Sequence, residues 1–246
     1  MAVFHKYLRR AAAAAAFCAL FAPDARADYY KVYAPQVDQG EISLEANVNY
    51  SADHRKALDH YLSQVYGVEY GVTRHWSTEL SAEIEKSSGT AMRLTMLKWE
   101  NVFVPFRPGA YWLDAGFYVE LEKSMLGDMP DNAEGRILLQ KKFGAFTHTA
   151  NISFNNNFGA HALPGVDTGF SWQTKYHVSD KLEPGFEYYS DLGRLNRDYE
   201  FNRQDSSIGP VLEGHIGDMT YDTGVLLGVS NTAHDVTVKF NLEYGF

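Results

Sequence analysis

The chain has 246 residues and one cysteine, Cys18, so no intrachain disulfide can staple its fold. Beyond residue 27 it has no run near the roughly 20 uncharged apolar residues of a spanning helix, which excludes a helical membrane bundle. Basic charge is short: 22 Lys and Arg stand against 31 Asp and Glu, net −9, an unfavourable balance for binding nucleic acid. No Gly-rich phosphate loop is present, and no cofactor motif. What the chain does have is 45 % hydrophobic and 14 % aromatic residues, too many for a disordered polymer.

Residues 1–27 read as a cleaved signal peptide. Lys6, Arg9 and Arg10 form a positive start, Ala11 to Ala22 an apolar stretch of 12 residues, and Ala25-Arg26-Ala27 a small-x-small cleavage site. The stretch is too short for an anchor. Phe17 before Cys18 is not the small residue that lipidation needs. Without this segment, which holds four basic residues (Lys6, Arg9, Arg10, Arg26) and one acid (Asp24), 18 basic residues face 30 acidic ones, net −12. An exported chain of this size without disulfides needs another means of holding itself together, and a closed membrane barrel is one.

Residues 28–40, DYYKVYAPQVDQG, read as a periplasmic lead-in, and 41–246 as the barrel. In 41–50 the residues Ile42, Leu44, Ala46, Val48 and Tyr50 alternate with Glu41, Ser43, Glu45, Asn47 and Asn49, a period of two. The last stretch repeats it, with Val236, Val238, Phe240, Leu242, Tyr244 and Phe246 on one side. Ten further strands are expected at 61–73, 78–86, 92–105, 111–123, 134–143, 147–155, 168–178, 184–191, 206–216 and 220–229. The fold class is all-β: a single antiparallel transmembrane β-barrel of about 12 strands. Short turns, Phe106–Ala110 among them, alternate with longer loops such as Asn156–Asp167 and Leu192–Asp205. Outer-membrane barrels have such short periplasmic turns and longer extracellular loops. Trp76, Phe103, Phe106, Tyr111, Trp112, Phe143, Phe146 and Phe186 cluster beside the short turns as an aromatic girdle. A β-sandwich shares the alternation. Signal peptide, absent cysteine and loop asymmetry favour the barrel, in lipid of the bacterial outer membrane. Phe240, Leu242, Tyr244 and Phe246 form the signal that barrel assembly machinery would read by strand addition.

The polar face then lines the lumen. Its expected members include Glu45, Glu69, Glu83, Asp114, Glu120, Arg136, Lys175, Glu187, Glu213, Lys239 and Glu243, with Lys175 within reach of Glu187 on the next strand. Stretch 92–105 places Lys98 and Glu100 on the same face as Leu94 and Met96, a conflict that a bulge would resolve. Two states of the lumen compete. An open acidic bore passes small cationic or neutral solutes. A plugged one holds the same charges as pairs. With no long plug domain ahead of residue 41, passage is expected to be diffusion without energy coupling, and the loops Asn156–Asp167 and Leu192–Asp205 are the candidate gates of an open bore.

An outer-membrane lipid hydrolase is a third reading, and the chain is more readily read as no enzyme. His148 and Ser153, five apart on one strand, fall on opposite faces. His161 and His234 lie in loops near Asp167 and Asp235. His54 and His60 with Asp53 and Asp59 offer four metal-ligating types in eight residues, and a solvated loop explains them as well. No catalytic or metal residue is assigned.

Several phrases carry a resemblance: KVYAPQVDQGEISLE (31–45), YGVTRHWSTELSAEIEK (70–86), WENVF (99–103), PGAYWLDAGFYVELE (108–122), HTANISF (148–154), WQTKYHVSDKLEPGFEYY (172–189) and IGPVLEG (208–214). In this order the chain resembles a family of uncharacterised small outer-membrane barrels of Gram-negative bacteria. The resemblance implies barrel architecture and outer-membrane location, and no activity.

Overall fold

The structure, a computed structural model, describes residues 30–195 and 200–246; the signal peptide expected at 1–27 lies outside the described residues. Twelve strands are formed: β1 (Ile42–Ala52), β2 (Tyr61–Thr73), β3 (Trp76–Lys86), β4 (Arg93–Phe103), β5 (Asp114–Ser124), β6 (Asp131–Phe143), β7 (Phe146–Phe158), β8 (Val166–Tyr176), β9 (Glu183–Arg194), β10 (Asp205–Ile216), β11 (Met219–Gly228) and β12 (Val236–Gly245). Each pairs antiparallel with its sequence neighbours, and β1 pairs with β12 from Ser43↔Gly245 to Ala52↔Val236, so no sheet edge is left.

The barrel is inside out. In β1 the odd residues Ser43, Glu45, Asn47, Asn49 and Ser51 are buried while Ile42, Leu44 and Tyr50 are exposed. Buried side chains are mostly polar, whereas Leu80, Trp99, Phe117, Val119, Ile208 and Val225 face outward. In water such an outer surface would be a continuous sticky belt; in lipid it is the solvated face.

The conflict in β4 resolves by a bulge. Glu83 pairs with Met96 and Ile84 with Leu94, leaving Thr95 as the extra residue. Met96 therefore turns inward with Lys98, and Leu94 outward. The expected turn at Phe106–Ala110 is instead part of a longer connection between Phe103 and Asp114. Pro105 and Pro108 have no N–H for the ladder and end β4 early. The loops expected at Asn156–Asp167 and Leu192–Asp205 are shorter, because β7 runs on to Phe158 and β9 to Arg194. Two-residue turns at the end that carries the termini start on Gly144 (φ 60°) and Gly217 (φ 64°), a backbone region that glycine enters without steric cost. The girdle forms at that end: Trp76 stacks on Phe103 at 6.3 Å, and Phe106 meets Tyr111 edge-on at 4.8 Å.

The lead-in is the main departure. The sequence makes residues 28–40 a periplasmic lead-in, and in the structure residues 30–37 of it lie within the lumen. Tyr30, Tyr33 and Pro35 are buried there. The chain leaves the barrel past Gly71, whose N–H donates to Glu41 O (2.9 Å) and whose O accepts from Gly40 N–H (2.7 Å). A Cβ at residue 71 would stand 2.0 Å from Asp38 O, so only glycine lets the segment pass.

Candidate functional site: the occupied lumen

Two buried tyrosines anchor the lead-in. Tyr30 packs with Tyr189 of β9 and Leu226 of β11, ring centroids of the tyrosines 5.3 Å apart and edge-on. Tyr33 packs with Tyr118 of β5 and Leu138 of β6, with Val102 alongside. These are apolar spots on a mostly polar wall. The inward-facing phase makes them: Leu138 of β6 stands between Arg136 and Gln140, and Leu226 of β11 between Gly224 and Gly228.

Polar contacts fix the backbone between those anchors. Asn151 of β7 accepts the Tyr33 N–H at its Oδ1 and donates from Nδ2 to Tyr33 O, both at 2.8 Å. On the other wall Lys239 Nζ and Asn241 Nδ2 of β12 donate to Tyr30 O at 3.3 and 3.4 Å. Lys31 pairs with Glu45 of β1. The Lys31 ammonium lies 4.6 Å from the Tyr33 ring centre, and the Arg136 guanidinium of β6 4.9 Å from it.

Behind each anchor is a buried charge cluster. Beside Tyr33, Glu100 accepts from the hydroxyls of Tyr33 (3.0 Å) and Tyr118 (2.9 Å). Lys98 stands 3.1 Å from Glu83 and 2.9 Å from Glu122. Beside Tyr30, Lys239 lies 2.5 Å from Glu187 and 2.7 Å from Asp222, and Tyr189 donates to Glu187 at 2.8 Å. Burying these ions is tolerable because each has partners on the wall.

The segment divides the lumen. Toward the end with the termini a cavity of about 710 Å³ opens, lined by Glu45, Glu69, Glu79, Glu213 and Glu243 with Lys31 and Lys175. Toward the far end a smaller pocket of about 50 Å³ lies among Lys98, Glu120, Arg136, Asn151 and Asn155.

The expected lumen residues thus fall into three places. Glu45, Glu69, Lys175, Glu213 and Glu243 line the large cavity. Glu83, Glu120, Arg136, Glu187 and Lys239 are buried in the paired clusters. Asp114 lines neither space: it starts β5 and accepts the Gly109 N–H at 2.6 Å, holding the β4–β5 connection. Lys175 does not meet Glu187, because the β8–β9 register sets Gln173 opposite Glu187. It pairs with Glu213 and lies 3.6 Å from Glu183. Phe240, Tyr244 and Phe246 are exposed on the outer face, and Phe246 N–H donates to Ile42 O at 2.9 Å. Tyr30, Lys31, Tyr33 and Asn151 were not foreseen as lumen contacts.

At the far end the loops beside the β1–β12 seam are clasped. Arg55 donates to both oxygens of Asp53 and to the carbonyls of Asn231 and Ala233. This holds the Asp53 carboxyl down to about 2. His54 donates to Asp235, lowering that carboxyl too. His234 stacks on Tyr61 at 5.8 Å, and burial pushes its imidazole below its ordinary value against the pull of Asp53. The four residues weighed for a metal do not come together as one set: ligand atoms of Asp53 and His54 lie within 4.8 Å of each other and of Asp235, without Asp59 and His60. Arg55 takes the Asp53 oxygens, Asp59 accepts the Asp53 N–H, and His60 turns to the Tyr50 hydroxyl. His148 stacks between Phe146 and Trp172, with Nδ1 on Thr174 Oγ1, while Ser153 faces the small inner pocket.

No protein-family profile matches the chain, and no curated protein sequence does. Among solved structures it is similar to the COG4313 outer membrane channel from Pseudomonas putida F1, with TM-score 0.63 and 11 % identity over 90 % of this chain and 99 % of that one. The Acinetobacter baumannii outer membrane protein Omp33 matches at TM-score 0.48 and 8 % identity, over 85 % of this chain and 99 % of that one. The translocator domain of the autotransporter NalP from Neisseria meningitidis matches at 0.46 and 12 %, over 85 % and 89 %. The first likeness carries the fold: this is a closed antiparallel barrel of the outer-membrane kind.

Proposed function

We propose that this outer-membrane barrel is a passive, porin-like channel for small cationic or neutral solutes, held closed by its own residues 30–37. One observation carries the reading: the block across the bore is a separate stretch of chain. Twelve strands about 4.8 Å apart and tilted about 40° lie on a cylinder of about 12 Å radius. Side chains reach about 5 Å inward, half the spacing of packed sheets, leaving a bore of about 14 Å. The wall of such a barrel does not close by itself. The lead-in crosses that space, and its tether, Asp38–Gly40, is exposed. The large cavity has an excess of carboxylates over cations, which favours cations entering it.

A plugged structural barrel is the second reading, and the buried clusters around Lys98 and Lys239 favour it. Swelling of proteoliposomes tests the choice. Arginine and a neutral sugar should enter faster than glutamate, and Tyr33→Ala should speed entry of all three. Equal rates with empty liposomes for both proteins would support the structural barrel.

A further inference from the structure

The wall treats the lead-in as a peptide site treats its ligand. Backbone groups are read at two places: Asn151 takes both the N–H and the C=O of Tyr33, and Lys239 and Asn241 take the C=O of Tyr30. Side chains are read at three: Tyr30 on Tyr189 and Leu226, Lys31 on Glu45, and Tyr33 on Tyr118 and Leu138. Backbone hydrogen bonds with side-chain pockets at fixed spacing are how extended peptides are held with specificity. None of these contacts depends on residues 30–37 being joined to β1. The covalent link contributes only effective concentration, of order millimolar for a short tether.

We propose that the lumen seat is a binding site for extended peptides with an aromatic residue, a lysine or arginine next to it, and a second aromatic two residues further on. The lead-in Tyr30-Lys31-Val32-Tyr33 is its resident occupant. The proposal deepens the channel reading by naming a cargo class. The Glu45, Glu69 and Glu79 carboxylates beside Lys31 select a cation at the second position and disfavour an acid there.

The test uses the full chain, folded with a protease recognition sequence inserted between the exposed residues Gln39 and Gly40, then cut. Fluorescein-labelled YKVYAPQV is added in detergent and its anisotropy is read, with mass spectrometry following release of the cut segment. The labelled peptide should enter only the cut barrel. Unlabelled YKVYAPQV should compete at least tenfold better than the peptide carrying Tyr30→Ala and Tyr33→Ala, and better than the one carrying Lys31→Glu. Equal competition by all three overturns the proposal. So does a cut segment that leaves without labelled peptide replacing it, or one that never exchanges. Binding is read without current, so a barrel that takes the peptide yet conducts nothing refutes the channel and leaves the site standing.

Discussion

Asn151→Ala removes the one wall side chain that satisfies both backbone groups of Tyr33. Asn151 is 2 % exposed, and its two hydrogen bonds are 2.8 Å long. A buried donor or acceptor left without a partner costs about 1–3 kcal/mol, so two cost about 2–6 kcal/mol. The small pocket beside Asn151 has room for water, which satisfies part of what is lost and sets the expectation at the low end, about 2–3 kcal/mol. At 1.36 kcal/mol per decade, the population with the lead-in withdrawn rises about 30- to 150-fold. A thiol at Pro35→Cys reports that population, because Pro35 is fully buried and no cysteine follows residue 27. Its modification by a bulky maleimide in the folded barrel should accelerate by the same factor in Asn151→Ala. A rate within twofold of the parent would falsify the claim that this amide holds the segment in place.

Three other outcomes are expected. Lys175→Glu changes the cavity charge by two; at about 8 Å in water-like dielectric that is about 1 kcal/mol for a passing cation, or about fivefold in cation preference, read as a shift in reversal potential. Arg55→Ala leaves the Asp53 carboxylate without its guanidinium and frees the clasped loops, at a cost of about 2–3 kcal/mol, read as a lower midpoint of heat-modifiable gel migration. The clasp should loosen in two steps on acidification. His234 has its value lowered in the fold, so its contribution is complete above about 6.5 and declines as pH falls below that. Asp53 contributes fully above about 3.8 and loses this as pH falls through about 2. Proteolysis between Ala52 and Tyr61 at graded pH checks the order; a rate flat from pH 7.5 to 5 contradicts the His234 step.

The strands were legible because alternation is a property of each strand alone. The β2 span of 61–73 is the same in the sequence reading and in the structure, and the others differ by a few residues at their ends. Errors sit where local chemistry overrides the pattern, as at Pro105 and Pro108. The lead-in was misplaced because eight residues without a strand partner show no periodicity. A signal was nonetheless there: Tyr30, Val32 and Tyr33 are a large apolar load for a segment in water. Pairing of inward charges was illegible for a different reason. Inward carboxylates outnumber inward cations, and register decides which of them are paired, as it did in giving Lys175 to Glu213 and Lys239 to Glu187.

The central claim is that residues 30–37 close a bore that the wall leaves open. Single-channel recording in a planar bilayer tests it most directly, comparing the parent chain with one carrying Tyr30→Ala and Tyr33→Ala. The account predicts a parent that is mostly silent with brief cation-selective openings, and a variant with long openings of the same selectivity. A variant as silent as the parent, while Pro35→Cys shows its lead-in withdrawn, would contradict it.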